Sequence, residues 1–447
     1  MTLLCEDFYK NARPHSIPEP PNIKLKPRLA ELRFGYMRAY TDGRNSDLGS
    51  RAGEKTRGDW GDVRIKIRNE GSGGNAGASR RKPLETANFI LERSALDENI
   101  RIFVGHPIPL CESGFVFWSK MSLLDKFGRQ ITDLRISVTD RCNFRCVYCR
   151  SADPENYREH DQILSWKELE RLAHVFHELG IRKVRLTGGE PLVRAGAEDF
   201  VKYLSGVGFV DLSMTTNGHL LTDRCEKLAA AGLHRINISL DSLNRERFER
   251  ITRTKSFASV MNGIDAAQKS RLGPAKVNAV LVRGINDDEI EAFAEFARER
   301  GVIMRFIEFM PLDADRHWSR DKVVPAAEVF ARINARWPLV QIPHEKSETA
   351  RKYRFTDGAA GEIGLIAPVT QAFCGHCSRI RLTADGKLRT CLFSKEDHDL
   401  RGFLRDGASD EDLRTYIVSA VNEKEEGHSI NKPDFVLPNR TMVFIGG

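Results

Sequence analysis

The chain has 447 residues, of which 41% are hydrophobic and 29% are charged. This length exceeds that of one ordinary domain, and the composition is that of a globular protein with enough apolar side chain for a sizeable core. No apolar run reaches the roughly 18 residues that a membrane helix needs, and no secretory signal is recognisable. These features argue against a membrane protein and predict a cytoplasmic location.

The net charge of +7 is unevenly distributed along the chain. Residues 1–120 carry +5, which leaves +2 for the remainder. A nucleic-acid-binding domain usually concentrates basic residues on its folded surface, so we predict no nucleic-acid partner. A small anionic substrate remains compatible with this charge, because it requires only a few well-placed arginines.

The first 120 residues differ in composition from the rest. Residues 46–82 are rich in Gly, Arg, Ser and Asn, and such a segment cannot bury enough apolar surface to fold. We predict that residues 1–120 form a disordered extension, and we interpret it as a product of an upstream start codon, since Met121 begins a natural-looking N-terminus. A targeting segment is the alternative, but acidic residues such as Glu6 and Asp7 argue against a transit peptide.

Short β-branched runs alternate with amphipathic segments from residue 134 onward. Six of these runs are predicted strands: 134–139, 183–187, 212–216, 235–240, 276–282 and 303–309. Six strand-helix units in series imply a parallel sheet. By pattern alone, either an open doubly wound sheet or a partial α/β barrel fits.

Two of the intervening helices have well-marked ends. Residues 165–179 begin with a capping box made by Ser165 and Glu168, and Gly180 follows the last apolar residue. A second helix is predicted over residues 287–300, again with a glycine directly after it.

The residues that suggest chemistry follow the predicted strands. They are the cysteine-rich loop 142–149, Gly188-Gly189-Glu190-Pro191, Thr216-Asn217-Gly218, Asp241-Ser242 and Met310-Pro311. Parallel α/β folds gather their active sites at the carboxyl ends of the strands. We therefore expect residues that are far apart in the chain to share one pocket.

Three cysteines form the first cluster, with the spacing C-x3-C-x2-C: Cys142, Cys146 and Cys149. In an intracellular chain such spacing indicates metal binding rather than disulfides. Three thiolates hold three irons of a 4Fe-4S cluster and leave the fourth iron open to an exogenous ligand. A zinc site with a distant fourth ligand is the alternative, although zinc usually takes paired C-x2-C motifs.

This loop resembles that of the radical S-adenosylmethionine superfamily, which has an aromatic residue before the last cysteine, here Tyr148. In that superfamily the open iron binds the methionine moiety, and one electron cleaves a carbon–sulfur bond to give a 5′-deoxyadenosyl radical. The Gly188-Gly189-Glu190-Pro191 segment matches the superfamily's second motif, whose glycines let the backbone approach the amino group of the cofactor. Taken alone, such a segment is more often a tight turn.

A second cluster has the spacing C-x2-C-x13-C: Cys374, Cys377 and Cys391. A zinc knuckle with His376 as fourth ligand is one interpretation, but a residue between two cysteines reaches the same metal poorly. A second 4Fe-4S cluster with an open iron is favoured, because that iron can bind a nitrogen or oxygen of a substrate. Arg379 and Arg381 alternate onto one side of a predicted strand, where each can bind phosphate through two hydrogen bonds.

Over residues 121–447 these features together resemble the GTP 3′,8-cyclase (MoaA) family of molybdenum-cofactor biosynthesis. The resemblance implies an incomplete TIM-type barrel of about six parallel strand-helix units over 121–325, with a C-terminal iron-sulfur extension over 326–447. It also implies two 4Fe-4S clusters, S-adenosylmethionine as cofactor, and a lyase that converts GTP to (8S)-3′,8-cyclo-7,8-dihydroguanosine 5′-triphosphate, the first step of molybdopterin synthesis.

The same resemblance assigns residues to roles. The expected S-adenosylmethionine contacts are Tyr148, Gly189, Ser239 and Met310. The expected GTP contacts are Arg135, Arg185, Thr216, Lys276, Arg379 and Arg381. The expected catalytic residues are Arg379, Arg381, Gly446 and Gly447, because the family's glycine tail enters the active site; residues 442–445 are predicted to anchor it as a strand-like segment. Taken singly, a basic residue is more often a solvated charge or an ion-pair partner.

The resemblance further implies an electron donor such as flavodoxin or ferredoxin and a downstream cyclic pyranopterin monophosphate synthase, and it is compatible with a homodimer. Another radical enzyme with auxiliary clusters, such as a peptide maturase, is the main alternative, but such enzymes usually carry about seven C-terminal cysteines against three here. An electron-transfer protein would leave both open irons and the glycine loop without a purpose, and a zinc-binding scaffold fits the sequence less well still.

Overall fold

The computed structural model describes residues 122–151, 157–345, 347–438 and 440–446, together with four strands nearer the N-terminus. Those strands form one sheet, in chain order: β1 (Ala39–Tyr40), β2 (Val63–Arg68), β3 (Asn88–Arg93) and β4 (Ile102–Phe103). The chain divides into two units, Met1–Phe115 and Val116–Gly447. Strand β2 lies within the segment whose composition predicts disorder. Most of residues 1–120 lie outside the described residues, so the disordered extension stays a prediction, as do the predicted domain boundaries.

The second unit contains one large sheet. Its first six strands are β5 (Asp133–Ser137), β6 (Lys183–Thr187), β7 (Asp211–Thr216), β8 (Arg235–Ser239), β9 (Lys276–Leu281) and β10 (Ile303–Glu308). Six further strands follow in the chain: β11 (Leu339–Ile342), β12 (Arg351–Phe355), β13 (Glu362–Ile366), β14 (Arg379–Leu382), β15 (Lys387–Arg389) and β16 (His398–Asp399). The order across the sheet is β11-β12-β13-β10-β9-β8-β7-β6-β5-β14-β15-β16.

Strands β5 to β10 neighbour one another in chain order, and every pairing among them is parallel. A doubly wound sheet would reverse direction at a switch point, whereas winding in one direction is the arrangement of a barrel. All six predicted strands are therefore confirmed, and the structure decides between the two architectures left open by the sequence.

The C-terminal residues extend the sheet at both edges of the six-stranded part. Strand β13 pairs in parallel with β10, and β14 pairs in parallel with β5. The sheet remains open, and the predicted incomplete TIM-type barrel with a C-terminal extension is confirmed. As a result, the two arginines on β14 lie beside the first barrel strand.

Helices cover the sheet. They are α1 (Trp166–Glu178), α2 (Ala197–Val207), α3 (Cys225–Ala230), α4 (Arg245–Thr252), α5 (Phe257–Lys269), α6 (Ile290–Arg300), α7 (Ala326–Arg336), α8 (Leu400–Arg405), α9 (Asp410–Asn422) and α10 (Met442–Ile445). The predicted capping box of Ser165 and Glu168 begins α1, which buries Leu169, Leu172 and Phe176 against the sheet. Helix α6 is preceded by a short 3₁₀ turn, Asp287–Glu289, where the sequence predicts continuous helix. In the described residues, no helix is both long and apolar enough to cross a membrane.

Candidate active site

The first cysteine loop leaves the carboxyl end of β5 and is held against α4. The amides of Arg145 and Val147 donate to the carbonyls of Thr252 and Ile251 at 3.1 and 3.0 Å. Phe144 points inward and packs edge-to-face on Phe248, with ring centroids 6.2 Å apart. These contacts hold the middle of the loop, between the first and last cysteines, against α4.

The glycine loop after β6 lies against this cysteine loop. The amide of Gly189 donates to the Thr139 carbonyl at 2.7 Å, and a Cβ atom on Gly189 would lie 2.4 Å from the Arg141 carbonyl oxygen. No other residue fits such a close backbone approach. The glycine is therefore needed to bring the two loops together, in addition to its expected contact with the cofactor.

Glu190 joins the glycine loop to the turn after β7. Its buried carboxylate accepts hydrogen bonds from the Asn217 amide at 2.6 Å and from Thr216 Oγ1 at 2.8 Å. Burial raises the pKa of this carboxyl to about 7, although these hydrogen bonds oppose the rise. Glu190 thus positions Thr216, one of the expected GTP contacts.

Tyr148 and Asp241 both line the cavity near the first triplet. The Tyr148 hydroxyl donates to Asp241 Oδ2 at 2.5 Å, and the Val280 amide donates to Asp241 Oδ1 at 2.8 Å. Burial raises the pKa of Asp241 to about 6. Through Asp241, these hydrogen bonds link the cysteine loop to the carboxyl ends of β8 and β9, and they hold Tyr148 in the wall of the cavity.

The second triplet is assembled from three segments of the C-terminal region. Cys374 lies in a 3₁₀ turn, Cys377 lies two residues before β14, and Cys391 lies two residues after β15. The guanidinium of Arg129 donates to the Cys374 carbonyl at 2.9 Å and is paired with Asp125 at 2.6 Å. None of the described cysteines is in a disulfide.

One cavity of about 290 Å³ joins the two triplets. Its walls include all six cysteines of the triplets and all four expected S-adenosylmethionine contacts, Tyr148, Gly189, Ser239 and Met310. They also include five of the six expected GTP contacts, Arg135, Arg185, Thr216, Arg379 and Arg381. Residues from positions 135 to 391 thus share one pocket, as the placement of motifs at strand ends predicts.

Lys276 lies in a second chamber, of about 660 Å³, at the amino ends of the same strands. Arg135, Arg185, Arg305 and Arg379 line both chambers, so a group of cations lies between them. Arg305 is not among the residues predicted from the sequence. The signal for it is an arginine within a mostly apolar predicted strand.

Neutral groups hold these guanidiniums. Arg305 donates to Asn278 Oδ1 at 2.8 Å and to Asn237 Oδ1 at 2.6 Å. Arg185 donates to Ser213 Oγ at 3.3 Å. Burial, followed by the charges of neighbouring cations, lowers the pKa of Arg305 to about 9. The cavity therefore carries positive charge that suits a polyanionic ligand.

The same causes act on Lys276. Burial and then the charges of Arg235 and Arg305 lower the pKa of its ammonium to about 7. A phosphate group near Lys276 would favour its charged form.

The C-terminal tail enters the cavity wall near β5 and β6. Residues 442–445 form the short helix α10 rather than the predicted strand-like segment, because the amides of Phe444 and Ile445 turn back to the Thr441 carbonyl. The Gly446 carbonyl accepts a hydrogen bond from Arg381 Nη1 at 2.8 Å. A Cβ atom on Gly446, whose φ is 84°, would lie 2.8 Å from Ser137 Cβ. Gly447 lies outside the described residues.

The donor set fits two iron-sulfur clusters. Each triplet offers three thiols to the cavity, as a cluster with one open iron requires. Among the described residues no three His, Cys, Asp or Glu side chains converge on a point suited to one metal ion; a cluster spaces its thiolates more widely, because each binds a different iron. Gly189 and Ser239, two of the expected S-adenosylmethionine contacts, line the same cavity as these thiols.

Two family models match the chain: "Radical SAM superfamily" over residues 136–297 and "Molybdenum Cofactor Synthesis C" over residues 302–430. A GTP 3′,8-cyclase of Rhodopirellula baltica is 42% identical over 332 residues, covering 73% of this chain and 92% of the relative. A GTP 3′,8-cyclase of Peptoclostridium acidaminophilum is 44% identical, covering 74% and 99%. The mitochondrial GTP 3′,8-cyclase of Arabidopsis thaliana is 43% identical, covering 73% and 83%. Since the matched region contains both cysteine triplets and the cavity between them, the chain belongs to the GTP 3′,8-cyclase family of radical S-adenosylmethionine enzymes.

Proposed function

We propose that the GTP 3′,8-cyclase reaction of this family takes place in the cavity between the two triplets, with S-adenosylmethionine at the first triplet and GTP between the two. One observation carries the proposal: both triplets and the buried arginines line the same cavity. The expected reaction is that of a lyase. It removes hydrogen from the ribose of GTP and joins that carbon to guanine C8, in the first step of molybdopterin synthesis.

The first triplet, Cys142, Cys146 and Cys149, holds a 4Fe-4S cluster in this proposal. When bound, the cluster and S-adenosylmethionine supply the radical that removes the ribose hydrogen. Gly189, Ser239, Met310 and Tyr148 line the part of the cavity beside this triplet, where they would contact the cofactor. These residues orient the cofactor towards the part of the cavity that contains the arginines.

The buried cations bind the triphosphate of GTP. Arg135, Arg185 and Arg305 lie between the two chambers, and Lys276 extends the positive charge into the second one. Because neutral partners hold Arg185 and Arg305, their charge is available to phosphate oxygens. Thr216, fixed by Glu190, completes the expected contacts on the side of the first triplet.

The second triplet, Cys374, Cys377 and Cys391, would hold a second 4Fe-4S cluster in this proposal, and that cluster would offer an open coordination position to the guanine. Arg379 and Arg381 lie on the strand between these cysteines and line the cavity beside the substrate. Arg381 also donates to the carbonyl of Gly446, and this contact supports a role for the glycine tail in the reaction. A small electron donor of the flavodoxin or ferredoxin type, a cytoplasmic location, and transfer of the product to a cyclic pyranopterin monophosphate synthase complete the proposal.

Anaerobic reconstitution followed by counting of iron and sulfide tests this assignment. We expect about eight irons and eight sulfides per chain, because each triplet holds four of each. Iron for one cluster together with one zinc would contradict the role given to the second triplet. Replacement of Cys374, Cys377 and Cys391 together by alanine should halve the iron content and leave the first cluster intact, whereas the Cys225→Ala control should hold full iron.

A further inference from the structure

Lys424 is buried at the end of α9 with 2% of its surface exposed. A lysine is almost never fully buried unless a partner balances its charge, because the loss of water around an ammonium costs several kcal/mol. In the sequence this lysine lies in a polar stretch and would be interpreted as a solvated charge. Its burial therefore requires a specific reason.

Two backbone carbonyls hold the ammonium. Lys424 Nζ donates to the Arg379 carbonyl at 3.1 Å and, by a shorter contact, to the Thr390 carbonyl. Thr390 directly precedes Cys391, and Arg379 lies two residues after Cys377. One ammonium thus joins the two arms of the chain that carry these cysteines.

No carboxylate in the described part of the chain forms an ion pair with Lys424. The neighbouring Glu425 does not form one either, because its carboxylate accepts hydrogen bonds from Thr390 Oγ1 at 2.9 Å and from Ser394 Oγ on the arm that carries Cys391. Two other buried cations of this region have carboxylate partners: Arg129 is paired with Asp125 at 2.6 Å, and Arg389 is paired with Asp397. Lys424 has no such partner, so its charge adds to the positive charge that the arginines of β14 bring to the second triplet.

Three thiolates supply the missing negative charge. A cluster held by Cys374, Cys377 and Cys391 would bring a negative group beside the ammonium, and the negative charge would increase on reduction. A fixed positive charge in a region of low dielectric constant stabilises the more negative state, so it raises the reduction potential.

We propose that Lys424 is a positioning and charge-balancing residue of the second cluster: its ammonium joins the arms that carry Cys377 and Cys391 and raises the reduction potential of the cluster they hold. This inference rests on the second cluster proposed above. It assigns to Lys424 a role that neither the ligands nor the substrate-binding arginines supply.

The test uses the full chain with Cys142, Cys146 and Cys149 replaced by alanine, so that the second cluster is the only one present. In this background Lys424→Gln keeps hydrogen-bond donors and removes the charge, whereas Lys424→Arg keeps the charge. The matched control is Lys395→Gln, at an exposed lysine four residues after Cys391. Iron and sulfide content and the midpoint potential, followed by electron paramagnetic resonance during redox titration, are measured for each.

We expect Lys424→Gln to retain the cluster at a lower midpoint potential, and Lys424→Arg and Lys395→Gln to keep the parent potential. Loss of the cluster from Lys424→Gln but not from Lys424→Arg would also support the proposal, because charge is then required for assembly. If Lys424→Gln keeps the parent midpoint potential and the full iron content, the role proposed for Lys424 is wrong, while the second cluster itself is still supported. A parent chain that holds zinc would overturn both this inference and the proposed second cluster.

Discussion

The two cysteine triplets offer the same number of thiols, yet charged groups of opposite sign surround them. Carboxylates lie near the first: burial raises the pKa of Cys142 to about 11, and the charge of Glu190 adds to the rise. Cations predominate at the second: burial alone would raise the pKa of Cys377, but the charges of Arg379, Lys424 and Arg129 outweigh it and lower the pKa. Burial does raise the pKa of Cys391, although the charge of Lys424 opposes the rise. The same ligand set is therefore placed in two different electrostatic environments.

This difference suits two different tasks. Negative surroundings disfavour the reduced, more negative state of a cluster, so they suit a site that gives an electron away. Positive surroundings attract an anionic nucleotide and suit a site that binds substrate. We therefore expect that replacing cysteines of the first triplet and replacing those of the second will affect different steps of the reaction.

The largest effect is expected from the cysteines. Replacement of Cys142 by alanine should abolish release of 5′-deoxyadenosine, because the electron source is lost. Replacement of Cys377 by alanine should leave part of that release and eliminate the cyclised nucleotide. Both products can be separated chromatographically after anaerobic turnover with dithionite. Equal loss of both products in the two variants would mean that the triplets do not have separate tasks.

The next largest effect is expected from the tail, which connects the two sites. A methyl group at Gly446 would collide with Ser137 beside the first triplet and would shift the carbonyl that Arg381 holds beside the second. Gly446→Ala, or deletion of the last two glycines, should lower cyclised product by about a hundredfold, as expected for a misplaced group. Iron content and GTP binding should persist. Gly358→Ala is the control, since it has a similar φ of 77° but open space around it; an equal loss there would exclude a local role for the tail.

The arginines of the second site should have an intermediate effect. Each charge-assisted contact is worth about 1.5 to 3 kcal/mol, so Arg379→Ala and Arg381→Ala should each weaken GTP binding by about ten- to a hundredfold. Arg→Lys should restore the charge without the paired hydrogen bonds. The control is Arg354→Ala, an exposed residue that is ion-paired with Glu362. Equilibrium binding of GTP under anaerobic conditions measures the effect, and unchanged affinity in both alanine variants would assign the arginines to the fold.

The smallest effect concerns pH. The Lys276 ammonium has a pKa of about 7, so it is charged below pH 7 and increasingly neutral above it. GTP affinity should therefore fall by up to about tenfold per pH unit above pH 7, until the pKa of the complex is reached. Lys276→Met should bind more weakly at pH 6 and lose most of this dependence. A wild-type affinity that does not change between pH 6 and 8 would contradict the prediction, and S-adenosylmethionine binding provides the internal control.

Local sequence signals predicted the barrel correctly. The six strands, the capping box at Ser165 and the placement of motifs after strands all depend on short-range patterns, which a sequence shows directly. The flanking positions of β13 and β14 could not be predicted, because they depend on pairing between residues far apart in the chain: Glu362 with Ile303 for β13, and Arg381 with Arg135, more than 200 positions away, for β14. The resemblance to a known family supplied the remaining site residues, and all of its assigned S-adenosylmethionine contacts line the cavity.

Buried charges account for most of what the sequence did not reveal. Arg305 and Lys424 are of residue types that usually face water. The one signal for Arg305 is its place within a mostly apolar strand, and nothing in the spacing indicates that Lys424 is buried. Their roles follow only from the neutral partners that surround them, Asn237 and Asn278 for Arg305 and two carbonyls for Lys424. The short helix before Gly446 was also missed, since four apolar residues are compatible with either helix or strand.

The register of the sheet has a thermodynamic consequence. Arg381, Arg135 and Arg185 are direct partners on three adjacent strands, so three like charges form one row across the sheet. Like charges directly opposite one another destabilise a sheet. An anionic ligand that binds only the folded state would offset this repulsion and stabilise the fold. The melting temperature should therefore rise with the concentration of GTP, or of inorganic triphosphate. The nucleotide would then act as a structural counter-ion of the barrel, and the chain without it would be the form most exposed to unfolding and proteolysis.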